Sequence, residues 1–150
     1  MIGFRTATEA DLPAIVRLLA DDPLGATRER DEEPLPQAYR DAFDSIQAQT
    51  GNEVILAVDG AEVIGCLQFT VIPGLSRLGA RRGQIEGVRV DKRYRGRRVG
   101  EILFRRAIER ARETGCGLLQ LTTDKARPDA RRFYERLGFV ASHEGMKLAL

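Results

Sequence analysis

The chain has 150 residues, enough for one domain with a substantial core, and 43% hydrophobic against 31% charged residues is the balance of a soluble globular protein. No apolar run reaches the roughly 20 residues of a membrane span, and Met1-Ile2-Gly3-Phe4-Arg5 opens no signal-peptide core, so a cytoplasmic protein with no membrane partner is expected. A net charge of +2 argues against a general nucleic-acid binder, yet residues 81–112 hold 12 of the 24 Lys and Arg with only four acids, so positive charge is focused there.

In chain order, residues 2–8 read as a first strand with Phe4 inward. Thr8-Glu9-Ala10-Asp11 resembles a capping box with Asp11 where Glu or Gln is usual. The helix it opens runs to about Ala20 and carries Leu12, Ile15, Val16 and Leu19 on one face. Residues 21–36 form an acidic loop, and residues 36–49 a second helix with Tyr39, Phe43 and Ile46 at helical spacing. Residues 53–58 and 62–72 make a hairpin across Asp59-Gly60. Residues 73–83 read as a loop and residues 84–90 as the next strand.

That strand leads into the stretch with most of the chemistry. Val88 and Val90 share a face, residues 91–98 form a basic turn, and from Val99 the pattern becomes helical, with Leu103, Phe104, Ala107, Ile108 and Ala111 on one half and Ile102 the exception. The first amides of such a helix lack intrahelical acceptors and sit at its positive end, so a strand, a glycine-containing turn and a helix together make an anion site. Gly96 and Gly100 allow close backbone approach, and the arginines supply the field. A phosphate or pyrophosphate is the natural guest. The structural alternative is a solvated basic turn ahead of an ordinary amphipathic helix.

Thr114-Gly115-Cys116-Gly117 stops the helix, and residues 118–123 read as a buried strand. Pro128 suits a first helical position, and the helix through residue 137 gathers Phe133, Tyr134 and Leu137 ahead of a C-cap glycine, Gly138. Residues 139–142 and 146–150 read as two short strands. The order β-α-α-β-β-β-α-β-α-β-β is a mixed α/β chain in which hairpins precede a strand–helix–strand crossover. Cys66, Cys116 and the single His143 have no metal-ligand spacing, so no metal is expected.

Two of these stretches resemble the GNAT superfamily of N-acetyltransferases, and the resemblance covers nearly the whole chain. Val88-Arg89-Val90 followed by Arg95-Gly96-Arg97-Arg98-Val99-Gly100 looks like the family's acyl-CoA signature: Arg or Gln, two residues, Gly, one residue, then Gly or Ala. Residues 130–139, with the Phe133-Tyr134 pair and Leu137-Gly138-Phe139, are close to its late helix–strand pattern. Arg98 departs from the signature's first glycine, which fits if that position has helical dihedrals and its side chain points away from the phosphates. Arg127 stands where many members have Asn.

The resemblance implies a single GNAT (acyl-CoA N-acyltransferase) domain over residues 1–150. Its fold is a mixed, mostly antiparallel sheet with splayed parallel central strands, flanked by about four helices. It implies acetyl-CoA as co-substrate, with the backbone amides of Arg95, Gly96, Arg97, Arg98, Val99 and Gly100 on the pyrophosphate. Val88 and Val90 would present strand backbone to the pantetheine, and Gly87 would accommodate a bulge that starts the splay. The reaction implied is direct acetyl transfer to the primary amine of a small molecule or a protein, with a homodimer through the late strands as a further option.

A lysine-like amine, with a pKa of about 10.4, loses its proton at physiological pH at a cost of roughly 4 kcal/mol, so a base is useful, and the departing thiolate needs a proton. Tyr134 matches the family's proton-donating tyrosine; its alternative is a core tyrosine with a satisfied hydroxyl. Glu86, read on the same strand face as Val88 and Val90, is the candidate base, the alternatives being a water chain or a strand carboxylate paired with Arg89 or Arg82. The acidic loop is either a receiver for a cationic amine or solvated surface. A second functional reading is a non-catalytic acyl-CoA-binding sensor or regulator.

Overall fold

Four consecutive hairpin residues decide the layering. Val54, Ile55, Leu56 and Ala57 are all buried, although alternate side chains of a strand point to opposite faces. The sheet they belong to must therefore be covered on both sides. The computed structural model, which describes residues 1–150, shows that it is. The chain forms β1 (Ile2–Thr6), α1 (Leu12–Ala20), α2 (Gln37–Ala48), β2 (Asn52–Asp59), β3 (Glu62–Ile72), the one-turn α3 (Ser76–Gly79), β4 (Arg81–Val90), α4 (Val99–Glu113), β5 (Cys116–Leu121) and α5 (Pro128–Arg136).

The strands lie in the order β1-β2-β3-β4-β5. The first four are antiparallel neighbours, and β5 runs parallel to β4 after the α4 crossover. On one face Ile55, Ala57, Leu67, Phe69 and Ile85 pack against Val99, Leu103, Phe104, Ala107 and Ala111 of α4. On the other, Val54, Leu56, Val63 and Cys66 pack against Leu12, Ile15 and Leu18 of α1 and Phe43 of α2. The capping box forms as expected: the Thr8 amide donates to Asp11 Oδ2 at 2.8 Å, and Arg5 forks onto both Asp11 oxygens at 2.7 Å.

One local device opens the sheet. Cys66 lies opposite Arg89 and Gln68 opposite Glu86, so β4 spends one more residue than β3 across this interval. Gly87 takes a φ of 60° there, a left-handed conformation that glycine enters at little cost. The parallel ladder between β4 and β5 ends at Ile85 and Leu121. Leu121 is also the last residue of β5, so β4 runs on from Glu86 to Val90 without a parallel partner, at the place where the splay is expected.

The expected strands at residues 139–142 and 146–150 do not form; those residues make no ladder, and β5 is left as the sheet edge. The alternating apolar pattern of Met146, Leu148 and Leu150 is present, but a strand exists only with a partner, and here these side chains are exposed.

Candidate active site

The turn between β4 and α4 is built around a carboxylate. Asp91 is buried, and its Oδ1 accepts from the Arg93 amide at 2.8 Å and from Arg93 Nε at 3.0 Å. The Arg93 guanidinium, at 2.6 Å from Oδ2, holds the Asp91 carboxyl at about 2. This clamp fixes the short 3-10 turn Lys92–Tyr94 and delivers the chain to Gly96, at φ 79°, and then to α4. The amides of Gly96, Arg98, Val99 and Gly100 find no acceptor in the protein. They cluster at the positive end of a helix, ringed by arginine, which is the chemistry of a pyrophosphate seat.

Arg98 corrects one expectation. Its dihedrals are φ 61° and ψ 12°, left-handed rather than helical, so the position keeps the conformation a glycine would supply. Its guanidinium turns away from the seat, as expected, and forks onto Glu101 with both bonds at 2.9 Å.

Beyond the ladder's end the β5-facing edge of β4 is bare of strand partners. The Val90 carbonyl accepts from Arg95 Nε at 3.3 Å, and the Val88 carbonyl from Arg89 Nη1 at 2.8 Å. Side chains thus hold acceptors that an added strand, or the amides of a pantetheine arm, would otherwise use.

Tyr134 lies on α5 and packs on the α4 side of the sheet. Its ring is half-buried against Phe104, Phe133 and Phe139, at centroid distances of 5.3, 5.6 and 6.2 Å. Tyr39 and Tyr94 bond to carboxylates through their hydroxyls, whereas the Tyr134 hydroxyl has no partner in the protein. A satisfied core tyrosine is therefore not what the structure contains. Burial pushes its phenol above the ordinary value, and the nearby guanidiniums of Arg127 and Arg89 draw it back only in part. It is a protonated donor at neutral pH.

Glu86 is exposed and makes neither a hydrogen bond nor an ion pair, with Arg89, Arg82 or any other group. It does not share a face with Val88 and Val90. Ile85, Val88 and Val90 pack toward α4, because the bulge at Gly87 resets the alternation. Glu86 instead joins Gln68, its cross-strand partner, and the bonded pair Gln84–Gln120 (2.7 Å) in a polar strip on the α1 face.

An ion cluster crosses the splay on that same face. Asp22, just past α1, lies 2.9 Å from Arg89 Nε and accepts from Arg127 Nη2 at 2.9 Å, while its other oxygen accepts from the Gly25 amide at 2.5 Å. Burial pushes the Asp22 carboxyl up, but the Gly25 amide and the two guanidiniums outweigh this and hold it below the ordinary value. The Arg89 Nε–H is buried and close to Asp22 but not aimed at it, so the charge is matched while the donor is left without a hydrogen bond. Asp22 belongs to the acidic loop and Arg127 to the position where many family members have Asn, and nothing local in the sequence signals their contact across 105 positions. Cys66 is buried with its thiol pushed up to about 12, which removes it as an acyl-carrying thiolate.

A model of the acetyltransferase (GNAT) family matches residues 12–139. The chain belongs to that family. The aminoalkylphosphonate N-acetyltransferase of Salmonella typhimurium is 34% identical over 107 residues, covering 71% of this chain and 69% of that protein. The L-methionine sulfoximine/L-methionine sulfone acetyltransferase of Pseudomonas aeruginosa is 30% identical over 142 residues, 93% of this chain and 81% of that one. A crystal structure described as a transcriptional regulator from Bacillus halodurans C-125 superposes with a TM-score of 0.96 and 53% identity over 100% of both chains.

This GNAT protein is an acetyl-CoA-dependent N-acetyltransferase. Acetyl-CoA brings a thioester whose carbonyl is open to attack by a neutral amine. The unpaired amides at the start of α4 fit its pyrophosphate. No group of three or more His, Cys, Asp or Glu is placed to hold a metal ion, and no helix is long and apolar enough to cross a membrane.

Proposed function

We propose that this GNAT domain, spanning residues 1–150, transfers the acetyl group of acetyl-CoA directly to the primary amine of a small cytoplasmic molecule. The observation that carries the reading is the Tyr134 hydroxyl, protonated, without a protein partner and under the influence of the Arg89 and Arg127 guanidiniums. The free amides of Gly96, Arg98, Val99 and Gly100 hold the pyrophosphate, whereas those of Arg95 and Arg97, also expected to do so, donate to the Lys92 and Tyr94 carbonyls at 3.4 and 3.2 Å and brace the turn; Val88 and Val90 offer backbone to the pantetheine. Tyr134 gives its proton to the departing thiolate. Glu86, on the α1 face, takes the proton of the incoming amine, directly or through water. A small molecule is favoured over a protein amine by the acceptors for which the Salmonella and Pseudomonas relatives are named.

The bare edge of β5 and the exposed, alternating Met146, Leu148 and Leu150 support a homodimer in which this segment of one copy pairs with another. A regulatory role, binding acyl-CoA without turnover, is the second reading, favoured by the description of the Bacillus halodurans structure. Thiol release from acetyl-CoA with a panel of small amines decides between them. Turnover that Glu86→Gln weakens most at low pH supports the assigned roles. Acetyl-CoA binding with no thiol release across the panel means the regulatory reading stands instead.

A further inference from the structure

The ion cluster on the α1 face has two guanidiniums to one carboxylate, a surplus of positive charge. Arg89 and Arg127 converge on one carboxylate, Asp22. Both guanidiniums also act on the Tyr134 phenol, so the cluster lies within electrostatic reach of that hydroxyl. Arg89 is four-fifths buried, and its Nε–H has no acceptor although it lies in the interior. Arg127 gives only Nη2 to Asp22 and keeps its other donors. The neighbouring carboxylate Asp21 is engaged elsewhere, near Lys92 and Arg95.

An unmet guanidinium donor inside a protein is costly, and the group that satisfies it best is an oxyanion taken in a fork. The cofactor's phosphates have their own seat at the start of α4, so this second cationic site is left to the acceptor, which reaches it through the more exposed Arg127. Three positions before Arg89, on the same face, stands the unpaired carboxylate of Glu86. The same face thus carries the unpaired carboxylate of Glu86 and two guanidiniums that share the single carboxylate of Asp22. A zwitterion, with its amine toward Glu86 and its acid toward the arginines, matches both.

We infer that the acceptor is a small amine carrying an acidic group, a phosphonate, phosphate or carboxylate, that Arg89 and Arg127 hold beside Asp22. This rests on the acetyl-transfer reading above and narrows its substrate class. Arg89 and Arg127 then determine specificity. They fix the acid so that the amine faces the thioester, and an amine without an acid lacks that anchor. Two charge-assisted bonds support a preference of about 100-fold.

The test compares aminoethylphosphonate, β-alanine and propylamine as acceptors, by thiol release and by the shift each gives in thermal stability without acetyl-CoA. The expected result is kcat/KM about 100-fold higher for one or both acids than for propylamine. In Arg89→Gln and Arg127→Gln that ratio falls toward one, and Arg89→Lys falls between. Each variant serves as its own control, since the ratio is read on one protein, and Arg127→Gln covers the case in which Arg89→Gln does not fold. Phosphonate and β-alanine separate the two acid chemistries. Equal rates for all three amines overturn the inference while acetyl transfer stands, as does an acid preference that survives both glutamine variants. If no amine is acetylated, the acetyl-transfer reading fails, and the thermal shift decides the subsite alone. Stabilisation by the acids and not by propylamine, lost in Arg127→Gln, upholds it; no difference overturns it.

Discussion

The two halves of this site are made of different material. The turn from Asp91 to Gly100 is contiguous, and its working groups are backbone amides held in place by one carboxylate and a helix start. The α1 face is assembled from Asp22, Glu86, Arg89 and Arg127, with Tyr134 approaching from the α4 side; these come from three separate segments, the end of α1, β4 and α5, and act through side chains. A backbone-built site recognises what every member of the family shares, because main-chain amides tolerate substitution of the side chains around them. A side-chain site changes with single residues, and this is where one acetyltransferase comes to differ from another. Substitutions should therefore divide: those on the α1 face change turnover and acceptor choice, and those in the turn change cofactor affinity.

The largest effect tests the reacting end. Tyr134→Phe keeps the aromatic cluster and removes only the hydroxyl, so kcat is expected to fall about 100-fold, as for loss of a positioned general acid. The Kd for acetyl-CoA should stay within about twofold, measured by calorimetry. A fall in cofactor affinity as large as the fall in kcat would erase the division between the two regions.

Next comes the carboxylate that joins the α1 face. Asp22→Asn leaves two largely buried guanidiniums without a counter-charge and weakens the anchor on the Gly25 amide. A loss of about 2 kcal/mol is expected, or roughly 4–8 °C in Tm for a chain of this size. Thermal unfolding measures it directly. An unchanged Tm would mean that the cluster is solvated in solution and does not organise the loop.

The corresponding carboxylate in the turn should act on the cofactor instead. Asp91→Asn loosens the clamp beneath the free amides, and acetyl-CoA affinity is expected to drop about tenfold. The pH dependence has a definite sign. Asp91 is held at about 2 in the folded chain against an ordinary 3.8. Its contribution is therefore complete above pH ~4 and is lost as pH falls toward 2. With Arg93 more than half exposed, about 1 kcal/mol is at stake. Acid unfolding of Asp91→Asn should be flatter than that of the parent across that window.

What could be read in advance follows the same division. The strand, turn and helix from Val88 to Val99 are legible because each signal is local: alternation, glycine, then helical spacing. The face of Glu86 was misread because counting by twos assumes an unbroken ladder, and the bulge at Gly87 inserts a residue that the pattern does not reveal. Gly87 itself was the only clue. The strands expected at residues 139–142 and 146–150 had the right alternation, but alternation says that a residue run suits a sheet, not that a partner strand is in reach. Asp22, Arg89 and Arg127 meet only because α1, β4 and α5 converge, and charge on a loop gives no hint of its distant partner.

The smallest expected effect lies where the turn departs from its family. Arg98 holds a left-handed conformation that costs a non-glycine residue about 1 kcal/mol. Glycine there removes that strain but also the fork onto Glu101, an exposed pair that contributes little, and gives the unfolded chain more freedom. These terms nearly cancel, so Arg98→Gly should change stability by no more than about 0.5 kcal/mol in either direction. The Arg98 side chain faces Glu101 and not the free amides, so the amide cluster should survive the exchange. Acetyl-CoA affinity is then expected to stay within about threefold, the loss of one nearby positive charge setting the limit. A tenfold weakening, measured by calorimetry at two salt concentrations, would show that the guanidinium swings onto the phosphates when they arrive. The turn would then bind by side chain as well as by backbone, and the contrast with the α1 face would narrow.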